Sequence, residues 1–204
     1  MAALDPYNGI LGKRLAAHLL RRATFTSART DIDSFALKTG VQAVDDLLTP
    51  QALTVSEPID WITGQEFPNC GTMPPSCPPV TGQSSWVQRR EYIKGWWLHN
   101  ALNDLSLGHK MQFFLHTCFT NHADFGPPEF FWDYIALLRF YALGNYKVFS
   151  NKMCLDNLMM RYLNNDDNKF NNPNENFARE LLELFTIGKG PQIGPEDYTT
   201  FQEL

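Results

Sequence analysis

A helical segment near the end of the chain, capped at both ends, constrains the fold most strongly. Residues 172–188 read Asn-Pro-Asn-Glu-Asn-Phe-Ala-Arg-Glu-Leu-Leu-Glu-Leu-Phe-Thr-Ile-Gly. Asn172 suits an N-cap, and Pro173 fits the first helical position, where its missing amide donor costs nothing. Glu175 follows three residues after the cap, as in a capping box, and Gly188 suits the left-handed residue that ends many helices. This pattern predicts one continuous helix over residues 173–187.

The predicted helix has an apolar face and a polar face. At about 100° per residue, the apolar face contains Phe177, Ala178, Leu181, Leu182, Leu184 and Phe185. The polar face contains Glu175, Asn176, Arg179, Glu180 and Glu183. One interpretation of the polar face is a solvated surface, because residues four apart can pair along a helix. The other is the lining of a cleft, with Glu180 and Glu183 as acids or metal ligands and Arg179 as their orienting cation. Residue spacing does not choose between them.

The rest of the chain also predicts helices, so the expected fold class is all-α: a multi-helix, bundle-like array of about eight helices in a single domain over residues 1–204. The pattern contains no convincing strand. The predicted helices cover residues 12–23, 30–38, 41–48, 84–105, 107–122, 128–141, and one or two within 146–163. The helix at 107–122 is apolar nearly all round, which predicts deep burial.

Residues 50–85 are rich in proline and glycine, which predicts a long irregular excursion between helices. Cys70 and Cys77 lie within this excursion and are candidates for a local disulfide in an oxidising compartment. A zinc site is less favoured, because their spacing is unusual and no second pair follows. Cys118 and Cys154 lie in apolar helical context and are expected to be buried thiols.

Charge and hydropathy exclude several classes of function. The net charge is −5, from 17 basic and 22 acidic residues, and the basic clusters are limited to Lys13-Arg14 and Arg21-Arg22. This balance disfavours nucleic-acid binding. No segment approaches the roughly 18 apolar residues needed to span a bilayer. The first six residues have neither a basic start nor an apolar core, so either the protein is cytoplasmic or its signal peptide has been removed.

Four segments, in order, resemble motifs of the bacterial "domain of unknown function 1800" family. Residues 172–185 resemble its His-Pro-Asn-Glu-Asn-Tyr/Phe-Ala-Arg-Glu-Leu-Leu-Glu-Leu-Phe signature. Residues 18–25 resemble its Leu-Leu-Arg-Arg-Ala-Thr-Phe motif, residues 110–119 its Lys-Met-x-x-Phe-Trp-His-Asn-His-Phe motif, and residues 143–146 its Leu-Gly-Asn-Phe motif. Asn172 and Cys118 depart from the pattern, since each replaces a family histidine.

The resemblance carries expectations beyond the residues themselves. Members of the family are larger, all-helical and often exported, so it implies a periplasmic or extracellular location. They are commonly encoded beside a sulfatase-like protein, which implies a partner at the cell envelope. Family members continue with further helices, so residues 1–204 are expected to be the N-terminal portion of a larger family domain.

Histidines supply the remaining candidate chemistry. His109 and His116 are seven residues apart and share one helix face, while His122 lies near the end of the same predicted helix. If the helices pack together, His116 approaches Glu175, Glu180 or Glu183. Such a set would form a divalent-metal site or an acid–base pair, with Asn174 and Asn176 as donors to a bound oxyanion. The alternative is a buried polar network in which Arg179 neutralises the carboxylates.

Two functions therefore stay open. The first is a cell-envelope enzyme, hydrolase-like or metal-assisted, that uses His116 and the helix at 172–188. The second is a non-catalytic scaffold or partner-binding helical module. The chain has no Ser-His-Asp order, phosphate loop, dinucleotide fingerprint or His-Glu-x-x-His motif, so the sequence names no reaction.

Overall fold

Helices make up the regular structure of the described chain. The computed structural model describes residues 7–53, 57–58, 85–173, 175–186 and 188. Within these ranges there are nine α-helices and two isolated β-bridges but no strand, which confirms the all-α prediction. The helices are α1 Gly12–Ala23, α2 Arg29–Phe35, α3 Gly40–Leu48, α4 Trp86–Asn103, α5 Gly108–Cys118, α6 Pro128–Tyr141, α7 Tyr146–Met153, α8 Asn157–Tyr162 and α9 Asn176–Glu180. No helix in these ranges has both the length and the hydropathy to cross a membrane.

The chain divides into two compact units, and the boundary falls within α5. The N-terminal unit is Met1–Phe113 and the C-terminal unit is Phe114–Leu204. The prediction of one domain over residues 1–204 stays a prediction. Most of the excursion at 50–85, including Cys70 and Cys77, lies outside the described residues, as does Asn174.

The N-terminal unit packs α1, α2 and α3 around a small apolar core. Its buried members are Ala16, Leu20, Ala23, Phe35, Ala36, Ala43 and Leu47. Helix α2 ends at Phe35, not at Lys38 as predicted, because the amides of Leu37 and Lys38 bond to carbonyls three residues back, which tightens the last turn. The carbonyls beyond Phe35 then bind the start of α1. Leu11 N donates to Lys38 O and Gly12 N to Ala36 O, each at 3.0 Å. Those two bonds hold α1 and α2 at a fixed register.

Side-chain caps set where two helices of this unit begin. Thr39 accepts a hydrogen bond from Gln42 N at 3.3 Å, while the Gln42 side chain accepts one from Thr39 N at 3.0 Å, so α3 starts at Gly40. Ser85 and Gln88 form the same reciprocal pair at the start of α4. Because this capping interaction is local in sequence, α4 begins within two residues of the start predicted at residue 84.

The C-terminal unit packs α6, α7 and α8 around aromatic and methionine side chains. Its most buried members include Phe119, Tyr134, Leu138, Phe149, Met153, Leu158 and Met159. Asn145 caps α7 by accepting from Val148 N at 3.0 Å, and Asp156 caps α8 by accepting from Met159 N at 2.8 Å. Cys118 and Cys154 are free thiols and half-buried, so they are less buried than predicted.

The prediction of a deeply buried helix at 107–122 is wrong in length and in burial. Helix α5 ends at Cys118, and Phe113 and Phe114 are 46% and 54% exposed. The buried positions include the polar residues His109 and Gln112, each 1% exposed. These side chains are held in the interior by hydrogen bonds, His109 to Asp104 and Gln112 to Trp97. Hydropathy alone does not reveal those partners.

The segment at 172–188 is also not the single helix that was predicted. Asn172 does not cap it, because Asn172 forms an isolated bridge with Lys169 and the two exchange backbone hydrogen bonds. The α-helix begins at Asn176 and widens into a π-helical segment at Leu181–Thr186. Gly188 has φ +78°, which confirms the predicted left-handed residue at the end.

Candidate functional site

His116 of α5 is held in one orientation by Tyr134 of α6. The His116 Nδ1 atom lies 2.7 Å from the Tyr134 hydroxyl oxygen. The same hydroxyl donates its hydrogen to Phe119 O at 2.6 Å. A tyrosine hydroxyl has one hydrogen, so towards His116 it acts as an acceptor. The Nδ1 atom therefore carries the imidazole proton, and the Nε2 atom carries a lone pair.

Burial keeps both groups of this pair neutral. Burial lowers the pKa of His116 below its ordinary value of 6.5, because the imidazolium loses hydration in the half-buried position. Burial also raises the pKa of Tyr134 far above its ordinary value. The His116 Nε2 atom makes no hydrogen bond with any described residue. A neutral imidazole with a fixed tautomer and a vacant lone pair can act as a general base or as a metal ligand.

The segment at 172–188, named here the signature segment, joins the same cluster through Phe185. The Phe185 ring stacks on the Phe119 ring with centroids 6.0 Å apart and planes 13° apart. The Tyr146 hydroxyl donates to Phe185 O at 3.4 Å. Phe119 is thus shared, because its ring packs on the signature segment and its carbonyl fixes Tyr134. The signature segment and His116 belong to one packed group of side chains.

The polar side chains of the signature segment lie at the surface or half-buried and interact with one another. Arg179 donates to Asn176 Oδ1 at 2.9 Å and lies 3.4 Å from Glu180 Oε1. Glu175 and Arg179 are exposed, and Glu180 and Glu183 are half-buried. None of them forms a hydrogen bond or ion pair with His116. The expected approach of His116 to a signature carboxylate is therefore not a direct contact among the described residues.

A metal centre is likewise not assembled in the described ranges. Among these residues, no three His, Cys, Asp or Glu side chains lie close enough to share a metal ion. The roles assigned to His116, Glu175, Glu180 and Glu183 as ligands or acids remain predictions. The C-terminal unit therefore supplies an oriented imidazole, His116, and, separately, the guanidinium of Arg179, which Asn176 holds in place.

Helix α5 carries a second ordered histidine, in the N-terminal unit. His109 Nδ1 lies 2.6 Å from Asp104 Oδ2, and both side chains are buried. Asp104 also accepts from Ser106 N at 2.7 Å and from the Ser106 hydroxyl at 2.9 Å. Burial alone raises the pKa of Asp104, but the hydrogen bonds from His109 and Ser106 outweigh it and hold that pKa below 3.8. His109 Nε2 is buried and has no hydrogen-bond partner among the described residues.

Sequence reasoning missed the Asp104–His109 pair, although it singled out His109. The signal available was the run Asp104-Leu105-Ser106 directly before the helix, since Asp and Ser often bond to nearby backbone at a helix start. His122, the third histidine of this region, is exposed, and its Nδ1 accepts from Asp124 N at 3.3 Å. It has no part in either arrangement.

The fold and these sites define an all-α protein in which a tyrosine-oriented histidine packs beside a π-helical signature segment. The chain belongs to the family described as "protein of unknown function (DUF1800)", which it matches over residues 18–201. That range contains all four motifs found in the sequence, so the resemblance drawn from them is confirmed. No curated protein and no solved structure matches the chain.

Proposed function

We propose that this DUF1800 protein is a hydrolase-like enzyme of the cell envelope in which His116 acts as a general base. One observation carries the proposal: Tyr134 holds Nδ1 of a neutral imidazole, so Nε2 keeps its lone pair. Support comes also from the π-helical turns at Leu181–Thr186, because such turns are rare and often lie at functional sites.

In the proposed reaction, His116 Nε2 takes a proton from water as the water oxygen attacks an electrophilic centre. The imidazolium that forms keeps its Nδ1–H bond to Tyr134, so its orientation does not change during the step. His116 then returns the proton to the leaving group. Half-burial of the ring favours the neutral base before the reaction begins.

The signature segment is proposed to bind the substrate. Arg179 is exposed, and Asn176 holds its guanidinium at 2.9 Å, which suits recognition of an anionic group. Glu180 and Glu175 are the acid candidates, and Asn174 and Glu183 the further binding candidates. A sulfatase-like partner acting on the same anionic material fits a periplasmic or extracellular location. A divalent metal bound through His116 Nε2 is the alternative route to an activated water.

Hydrolysis of chromogenic esters tests the proposal. Purified protein is assayed with p-nitrophenyl acetate, p-nitrophenyl phosphate and p-nitrophenyl sulfate. The three assays are repeated after the protein has been dialysed against EDTA. We expect His116→Gln to lower the rate about 100-fold or more. His122→Gln is the matched control, because His122 is exposed in the same unit. Loss of activity with EDTA would favour the metal route, and no hydrolysis above buffer by the wild type would overturn the proposal.

A second candidate is a non-catalytic, partner-binding module. It is favoured by the placement of Arg179, since its described partners are its own neighbours, and both Arg179 and Glu175 are exposed on the polar face of the signature segment. Under this candidate, Arg179→Glu weakens binding to a sulfatase-like partner protein by about tenfold or more. His116→Gln leaves that affinity unchanged, which separates the two candidates.

A further inference from the structure

An open groove lies between α1 and α3 in the N-terminal unit. Its volume is about 580 Å³. One wall is formed by Leu15 and Leu19 of α1 with Leu11 just before it, and the other by Val41 and Val44 of α3, with Tyr7 and Gly40 at one end. Besides Tyr7, the polar side chains that line it are His18 and Asp45. The groove is therefore an apolar channel with one ionisable side chain on each wall.

The α3 wall continues into an exposed apolar stripe. Val41, Val44 and Leu48 are 54%, 44% and 48% exposed. They repeat at i, i+3 and i+7, which places them on one side of the helix. An adjacent side of α3 is already occupied, because Ala43 and Leu47 belong to the core. Apolar residues thus cover two faces of α3, and the core of the N-terminal unit uses one of them.

The α1 wall is bordered by a row of basic side chains. Arg14, His18, Arg21 and Arg22 recur at the spacing of one helix face, and all four are exposed. None of them forms an ion pair or hydrogen bond with the residues that the structure describes. By contrast, the neighbouring Lys13 pairs with Asp33 at 2.8 Å. The charge beside the groove is therefore not compensated within the described chain.

We propose that this groove binds an amphipathic α-helix of a partner protein, with acidic residues along one flank of its apolar stripe. Two helices at the groove walls suit a third helix laid between them, and the i, i+3, i+7 apolar spacing matches such a ligand. The acidic flank lies along Arg14, His18 and Arg21. Asp45 on the opposite rim disfavours acidic residues there, so the bound helix has one orientation.

An anionic membrane is the competing ligand for a basic amphipathic helix, and the observations favour the peptide. A bilayer surface does not fill a concave channel, whereas side chains of a helix do. Asp45 stands on the rim and is exposed, so it would face lipid phosphate at close range. The apolar lining also separates this surface from a nucleic-acid site, which would present cations without a channel.

Binding of synthetic helices tests the proposal with the full chain. The probe is a fluorescein-labelled peptide of about five helical turns with a leucine stripe and glutamates on one flank. Its partner probe has lysines in place of the glutamates. In anisotropy titrations the glutamate peptide is expected to bind at least about tenfold more tightly, with an affinity that falls as salt rises. Equal binding of both peptides, or binding of neither, would overturn the proposal.

Variants localise the binding. Val44→Asp is expected to weaken binding of the glutamate peptide about tenfold or more, since it buries a charge against the apolar stripe. Val148→Asp is the matched control, because Val148 is 42% exposed on α7, in the other unit. The double variant Arg14→Glu/Arg21→Glu tests the basic flank of the groove by changing only exposed side chains. Lys147→Glu, in the other unit, is the control for the change of charge. Circular dichroism melting checks that each variant is folded.

Two results would contradict this assignment. One is unchanged peptide affinity in both Val44→Asp and the double arginine variant. The other is binding to phosphatidylglycerol vesicles without binding to the glutamate peptide, which would make the groove face a membrane contact. If Val44→Asp does not fold, the double arginine variant decides the outcome alone.

Discussion

The hydroxyl group of Tyr134 acts on two parts of the C-terminal unit at once. It donates to Phe119 O and accepts from His116 Nδ1, at 2.6 Å and 2.7 Å. Tyr134 itself is fully buried. One side chain therefore satisfies a backbone carbonyl after α5 and sets the tautomer of the candidate base. A single atom couples the stability of the unit to the chemistry proposed for it.

Tyr134→Phe should uncouple these two effects. The ring keeps its packing, but Phe119 O loses its donor, so the free energy of unfolding falls by about 1–3 kcal/mol in urea titrations. The His116 ring loses its acceptor, and ¹⁵N NMR should show both imidazole tautomers in place of one. Tyr141→Phe is the control, because the Tyr141 hydroxyl makes no hydrogen bond with the described residues. Unchanged stability and a single tautomer in Tyr134→Phe would contradict the assignment.

Asp156 makes the stability of the C-terminal unit depend on pH. Burial, together with the nearby charge of Asp133, raises the pKa of Asp156 from 3.8 to about 6, against the lowering effect of the Met159 and Leu158 backbone bonds. The native state therefore binds more protons than the unfolded state between about pH 4 and pH 6. The Asp156 contribution to stability accordingly falls as pH rises through this window and is constant above it.

Asp156→Asn should remove that fall, since an amide oxygen still caps α8 but carries no charge. We expect the variant to be more stable than the wild type by about 1–2 kcal/mol near pH 8, with little difference near pH 4. Urea unfolding at the two pH values measures it. Asp167→Asn, at an exposed position, is the control. A variant less stable than the wild type at the higher pH would show that burial of the charge is not the dominant effect.

At the scale of elements, local interactions were predictable and tertiary ones were not. The Ser85 cap, the Pro128 start and the Gly188 end each depend on residues within one helical turn. The buried side of α5 depends instead on Trp97, whose indole donates to Gln112 Oε1 at 2.9 Å from another helix. Because Trp97 is fifteen residues away from Gln112, the hydropathy periodicity of α5 does not predict this contact.

The change from α to π geometry in the signature segment explains why Leu184 is exposed although the sequence predicted it to be buried. Leu184 was placed on the apolar face by a period of about 100° per residue, yet it is 61% exposed. A π-helix has more residues per turn, so residues after Leu181 no longer follow that period. The Thr186 hydroxyl donates to Leu181 O at 2.9 Å and supports the wider turn. The amino-acid composition of the segment did not indicate this π-helical turn.

Two glycines in different backbone geometry should respond oppositely to alanine. Gly95 lies inside α4 and Gly188 has φ +78°, and a Cβ added at either would meet no atom of the described residues within 4 Å. Gly95→Ala should raise the free energy of unfolding by about 0.5–1 kcal/mol, because alanine restricts the unfolded chain and favours the helix. Gly188→Ala should lower it by about 1 kcal/mol, because alanine is strained in the left-handed region. Chemical denaturation of both variants measures the difference, and equal signs would contradict the geometry.

At the scale of the whole molecule, the sequence predicted the class of fold and the family but not the site. Amphipathic periodicity and helix boundaries are distributed over the chain, so errors at single boundaries do not change the all-α class. A site depends on a few long-range contacts, such as His116 with Tyr134 and Phe119 with Phe185. The motif at 110–119 pointed to His116, yet the partner that defines its tautomer lies in a different helix. Function is therefore less predictable than fold in this chain.

Two adjacent leucines on α1 separate the core of the molecule from its groove. Leu20 is fully buried in the core, whereas Leu19 is half-buried and lines the groove. Leu20→Ala should lower the free energy of unfolding by about 2–5 kcal/mol, because it leaves a cavity. Since such domains are stable by only about 5–15 kcal/mol, this is a large fraction of the total. Leu19→Ala should cost less than Leu20→Ala in the same urea titration.

The two variants should rank in the opposite order in peptide binding. Below the unfolding transition, Leu20→Ala keeps the groove surface intact, so its affinity for the glutamate peptide should match the wild type. Leu19→Ala removes apolar contact area from the α1 wall and should weaken the complex about fivefold or more, because a buried leucine side chain contributes about 1.5–3 kcal/mol. Anisotropy titration at low temperature measures both. A loss of affinity confined to Leu20→Ala would mean that the peptide site depends on the core and not on the groove wall.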